Sequence, residues 1–185
     1  MVTLGSLWLA ILLAAVVVWI ASAVIWTALP HHRKDFARLA SEEEARSLLR
    51  GTPPGMYSLP HAESDAALKD PHYVAKMNEG PVGFLTVMPS GPPAMGGRMV
   101  RSFLFFLLVA FVFAYLASNY VPAGVSYIQV FRFAAVTSWM AFGFAYVQES
   151  VWFGRPWSNS ARHLVDAFVY GLLIGGVFGW LWPTM

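Results

Sequence analysis

The chain has 185 residues, of which 57% are hydrophobic and 12% charged, with a mean hydropathy of +0.55 and a net charge of +2. That balance belongs to a membrane protein rather than a soluble domain, and no basic run suggests nucleic acid. The absence of cysteine excludes disulfides, thiolate metal sites and cysteine nucleophiles.

Four stretches are long and apolar enough to cross a bilayer as helices. Residues 1–29 hold the first, which carries no charged side chain from Leu4 to Leu29. Ala21-Ser22-Ala23 resembles a signal-cleavage site, but there is no basic n-region and the apolar run continues past it, so the segment reads as retained. The chain leaves this helix through Leu29-Pro30 into His31, His32, Arg33, Lys34 and Asp35. Residues 30–98 form a long connection. Ser41 and Glu44 make a capping box, predicting a short helix over 42–50 that stops at Gly51. Thr52 to Gly97 is rich in proline and glycine, with room for a helix only within Asp65 to Met77 and a β-like run over Gly83–Met88. This connection reads as an ordered cap.

Residues 99–185 hold three further spans, expected at 99–118, 125–147 and 161–182. Ala134, Ser138, Ala141 and Ala145 make a small-residue stripe on the third. On the last, Gly171, Gly175 and Gly179 form GxxxGxxxG, a pattern that lets two helix backbones approach closely. The stripe is the expected partner of this ladder. Arg162, His163, Asp166 and Tyr170 occupy the opposite face, with Asp166 in reach of Arg162 and Tyr170 at i±4.

Lys and Arg crowd the first-to-second and third-to-fourth connections and avoid the other. The positive-inside rule then puts both termini outside.

Two polar constellations emerge. One is an inner cluster of Arg101, Glu149, Arg162, His163, Asp166 and Tyr170, expected to tie three helices together by salt bridges, with a proton or ion path as the sharper alternative. The other is a histidine set: His31 and His32, with Asp35 four residues after His31, form a weak candidate for a metal, while His61 and His72 lie in the connection. No HExxH, Ser-His-Asp set or phosphate loop can be placed, so no catalytic residue and no cofactor is expected. Arg132 stands alone near the outer end of the third span, far in sequence from any acid. It calls for a lipid phosphate, the terminal carboxylate at Met185 or an acid on another protein.

Several phrases together, Trp26-Thr27-Ala28-Leu29-Pro30-His31-His32, Pro54-Gly55-Met56-Tyr57, Gly80 to Val87, Pro156-Trp157-Ser158-Asn159 and Arg162-His163-Leu164-Val165-Asp166, resemble a group of uncharacterised bacterial inner-membrane proteins of similar length. The resemblance implies a bacterial inner membrane and four helices. It brings no known activity and assigns no residue a role.

The expectation is therefore an all-α membrane protein, a bundle of four transmembrane helices with a cytoplasmic Pro/Gly-rich cap. Its leading function is a non-enzymatic accessory or assembly subunit acting by helix packing, with membrane lipids, another membrane protein or a second copy as partners. A small transporter using the inner polar face is the first alternative, and a metal-binding membrane enzyme the second.

Overall fold

A computed structural model describes residues 2–184. It is mainly helical and divides into two compact units, one running up to Asp35 and resuming at Ala94, the other covering Phe36–Pro93.

The first unit is a bundle of four helices long and apolar enough to cross a membrane. A 3-10 turn at Leu4–Leu7 leads into α1 (Trp8–Ala28), and Pro30–His32 forms another such turn beyond its end. The remaining helices of the bundle are α4 (Met95–Tyr120), α5 (Tyr127–Gly143) with its continuation α6 (Ala145–Phe153), and α7 (Trp157–Leu181). In the second unit, α2 (Glu42–Leu48) and α3 (Pro71–Glu79) accompany a two-stranded antiparallel sheet of β1 (Gly55–Leu59) and β2 (Gly83–Val87), with Tyr57 opposite Leu85.

α7 packs mainly on α5 and also on α1, and α1 in turn carries α4. The core between them is small and apolar: Ala10, Ala14, Val18, Ala110, Ala114, Ala134, Ile174 and Phe178 are all sealed. Large apolar side chains such as Leu12, Ile20, Leu108, Val112 and Phe168 face outward, as lipid-facing positions do. Indole groups tie neighbouring elements together. Trp19 Nε1 donates to Met99 O at 3.1 Å, Trp139 Nε1 to Leu164 O at 3.0 Å and Trp182 Nε1 to Pro122 O at 2.9 Å.

The glycine ladder lies against α5, but not on the expected stripe. A Cβ at Gly171 would stand 2.5 Å from Ala135 O, one at Gly175 2.8 Å from Phe131 O, and one at Gly179 2.7 Å from the Tyr127 ring. The docking face of α5 is therefore Tyr127, Phe131, Ala135 and Trp139. Ala134 and Ser138 are buried elsewhere in the bundle, and Ala141 and Ala145 are exposed. The physical reason is that glycine on one helix already brings the two backbones together, so the opposing face need not be small.

Other boundaries also differ. α7 starts at Trp157 and the third span runs on to Phe153, because the polar residues that depress hydropathy there satisfy one another. Ser150 Oγ bonds Ser160 Oγ at 2.7 Å, Ser160 donates to Tyr146 O at 2.9 Å, and Arg155 donates to Asn159 Oδ1 at 2.8 Å. The turn between them is only three residues long, and Gly154 takes φ 67°, ψ 18° there, a left-handed geometry that favours glycine. The capping box at Ser41 does not form: its ψ of 56° is not the extended backbone a capping serine uses, and α2 ends at Leu48. A complete capping box instead opens α5, between Ser126 and Gln129. In the second unit the helix begins at Pro71, capped by the Asp70 side chain accepting from His72 N at 2.7 Å.

The close approach of α5 and α7 gives a sharp test. Gly171→Ala forces a methyl into a backbone carbonyl and should destabilise the purified protein by at least about 1–3 kcal/mol, the usual cost of overpacking. Gly176→Ala, whose Cβ would meet only Tyr127 Oη at 4.0 Å, should leave the melting temperature in detergent nearly unchanged. Equal melting temperatures for the two variants would contradict this packing.

Candidate metal centre

The two polar constellations of the sequence are one site. Pro30 turns the chain sharply after α1, and the 3-10 turn that follows points both His31 and His32 at α7. There they meet Asp166. His31 Nε2 lies 2.9 Å from Asp166 Oδ1, and His32 Nε2 lies 2.5 Å from Asp166 Oδ2. The other nitrogen of His32, Nδ1, is 2.5 Å from Asp35 Oδ2, and Arg162 donates to the second oxygen of Asp35. A single file of contacts thus runs His31, Asp166, His32, Asp35, Arg162.

Rings hold this file in place. The Trp26 indole stacks on His32 with centroids 4.0 Å apart and planes 2° from parallel. His163 stacks in the same way on Tyr146, at 4.0 Å and 5°, with its centroid 5.2 Å from that of His32. Asp166 is 4% exposed and His32 7%. A carboxylate so deeply buried is costly unless both oxygens are engaged, and both are.

This corrects several expected pairings. Asp166 does not pair with Arg162 along its own helix; its oxygens are taken by the two histidines, and Arg162 reaches Asp35 instead. Asp35 pairs with His32 at i+3 rather than His31 at i+4, because a 3-10 turn and not an α-helix carries the histidines. Glu149 stands apart, 3.9 Å from Arg155. Arg101 is exposed beside Gly97 and joins no ion pair among the described residues. His61 and His72 belong to the other unit. Tyr170 is near the cluster, its ring edge-on to Phe106 and Phe142. Arg132 is exposed and forms no ion pair among the described residues; the terminal carboxylate at Met185 lies outside them.

Two sets of side chains have ligand atoms close enough to share a metal ion: His31, His32 and Asp166, and His32, Asp35 and His163. A zinc-class ion holds nitrogen and oxygen ligands at about 2.0–2.2 Å, and the ligand atoms of the first set all lie within 4.8 Å of one another. The second set is the poorer host, because Arg162 already supplies a positive charge to Asp35. In the first set Asp35 has a clear task of its own. A metal-ligating histidine usually gives its other ring nitrogen to a carboxylate, which fixes its tautomer and orientation, and Asp35 sits at that position on His32.

Beside the site lies a cavity of about 200 Å³. Asp166 and His163, with Ser22 and Ser102, form its polar wall, and Trp26, Phe106, Phe142, Tyr146 and Tyr170 form much of the rest. The donor set of two imidazoles and one carboxylate, without sulfur, suits zinc or ferrous iron and leaves coordination positions open.

No protein-family model, curated protein or solved structure matches this chain.

Without a metal the file is a charged clamp, with a defined pH signature. Burial opposes the His32 imidazolium, but Asp35 and Asp166 outweigh it and raise its pKa. Burial likewise opposes the Asp35 carboxylate, and His32 and Arg162 overcome that and lower its pKa. A raised histidine stabilises the fold fully below its unfolded pKa of about 6.5, and that stability is lost as pH rises through the folded value. A lowered aspartate stabilises it above about 3.9, and that is lost as pH falls through its folded value. The chelator-treated protein should therefore melt highest on the acid side of neutrality, between about pH 4 and 6.5, and His32→Gln should flatten its alkaline fall. A melting temperature that climbs steadily from pH 5 to 8 would contradict the clamp.

Proposed function

We propose that this chain is an integral membrane protein built around one divalent metal ion, held by His31, His32 and Asp166, with Asp35 and Arg162 as the supporting pair. The observation that carries the reading is the convergence of two histidines from the exit of α1 on both oxygens of a buried carboxylate in α7, with a second carboxylate behind one of them. The reading favours metal-dependent chemistry over the packing-subunit role that the sequence alone put first.

Coordination positions that three protein ligands would leave free on a bound ion are the functional part of this reading. A metal of this class polarises a bound oxygen or lowers the pKa of a bound water. The cavity beside Asp166 supplies a partly enclosed space in which a small group can meet the ion. His163 lines that cavity beside Asp166, and it can accept or deliver a proton there.

The resemblance to bacterial inner-membrane proteins and the crowding of Lys and Arg into two connections support a bacterial inner membrane, both termini outside and the metal centre on the cytoplasmic side. The bundle's outward apolar side chains support lipid as its surroundings.

Stripped protein dialysed against Zn²⁺ or Fe²⁺ should take up one ion per chain by elemental analysis. His31→Ala and Asp166→Ala should abolish that uptake. Asp35→Asn should keep the ion but weaken its binding by about 10–100-fold, the usual effect of losing such a supporting carboxylate. Uptake that ignores all three substitutions, or no uptake by the folded wild-type protein, would exclude the metal reading and leave the clamp as a structural tie.

A further inference from the structure

The metal reading leaves open what comes to the ion, and the bundle's surface bears on that question. α4 leans on α1 and barely touches α5. The gap between α4 and α5 is a lateral groove of about 340 Å³, walled by Leu108, Val109, Val112 and Leu116 on one side and by Thr137, Ser138 and Ala141 on the other. Phe105 belongs to this groove and also to the wall of the cavity at Asp166. Head cavity and apolar groove are therefore neighbours along α4 and share the side chain of Phe105, which is 49% exposed.

We propose that the ligand of the metal centre is a long-chain lipid with an oxygen-bearing polar end, taken sideways from the bilayer. Its polar end enters the cavity beside Asp166 and its chain lies in the α4–α5 groove. The inference rests on the metal reading and goes beyond it by naming the ligand class.

Two features argue for a lipid chain as the occupant. The first is length. From Phe105 to Leu116 the groove follows eleven residues of helix, about 16 Å at 1.5 Å per residue. One leaflet of hydrocarbon is roughly 15 Å deep. The second is polarity. The polar wall with Asp166 lies at the end of the bundle where α1 finishes and α4 starts, and the apolar groove runs away from it, from Phe105 near the middle of α4 to Leu116 near its far end. A membrane lipid has the same order of polar end and chain along the bilayer normal. A water-soluble substrate would need neither an apolar gallery nor a side entrance.

The probe is a hydroxamate, whose oxygens ligate a divalent ion, in short and long forms. Protein in neutral phospholipid nanodiscs is loaded with Co²⁺, whose visible absorption reports coordination, and titrated with acetohydroxamate and with dodecanohydroxamate. Partition of the long probe into lipid is the same for every variant, so the comparison between variants reads the groove. Ala141→Trp fills the groove from α5 and should weaken dodecanohydroxamate about tenfold, with Co²⁺ stoichiometry and acetohydroxamate affinity unchanged. Val112→Trp fills it from α4 and should do the same, which guards against misfolding of either variant alone. If Co²⁺ is bound and the long probe is equally tight in the wild type and in both folded variants, the lipid inference is overturned while the metal centre stands. If wild-type protein binds no Co²⁺ at His31, His32 and Asp166, the metal reading itself has failed, and this inference with it.

Discussion

Asp166 is a buried carboxylate inside a helix bundle, and the surrounding structure is arranged to keep it satisfied. Neither of its oxygens finds a partner on its own helix. Both are met by histidines that the chain delivers just after Pro30, at the end of a different helix. Leaving one of those oxygens unpaired in a low-dielectric setting would cost several kcal/mol, so the exit of α1 is tied to one position on α7. The stacking of Trp26 on His32, the support of Asp35 and the reach of Arg162 all follow from holding that tie in one geometry.

The position of α7 is set from its other face. Gly171 and Gly175 let the α5 backbone approach to distances that no side chain permits. Dispersion contacts over that flat seam stand in for the hydrophobic drive that lipid does not provide. With α5 seated on the glycine face, the polar face of α7 is turned towards α1. The packing of one side thus aims the chemistry of the other. α4, held mainly by α1, is left free to stand away from α5, and that opens the groove next to the site.

Much of this fold is legible in the sequence. Run lengths and hydropathy locate the four spans, the glycine spacing identifies the seam, and the i, i+4 arithmetic gathers Arg162, His163, Asp166 and Tyr170 on one face. What the sequence hid was contact between remote residues. His31 and His32 precede Asp166 by more than 130 positions, and no periodicity links a post-helix turn to a helix face. A signal was present nonetheless: charge placement put both constellations at the same end of the bundle, so their meeting was open to inference. The i+4 rule also misled at two places. It paired Asp166 with Arg162, although Arg162 is drawn to Asp35 and two histidines from beyond α1 meet the two oxygens of Asp166. It paired Asp35 with His31, although proline after α1 imposes a tighter turn. Span ends at Phe153 and Trp157 were obscured for a different reason: Ser150, Arg155, Asn159 and Ser160 satisfy one another, so their polarity does not end the helices.

The central claim is that His31, His32 and Asp166 ligate one divalent ion and that Asp35 supports them from behind. X-ray absorption at the metal edge of the loaded protein tests it most directly. The account predicts nitrogen and oxygen scatterers at about 2.0–2.2 Å, with the outer-shell signature of two imidazoles, falling to one imidazole in His31→Ala and staying at two in Asp35→Asn and His163→Ala. A first shell of water oxygens alone, or one whose imidazole count is unchanged in His31→Ala and drops in His163→Ala, would contradict it.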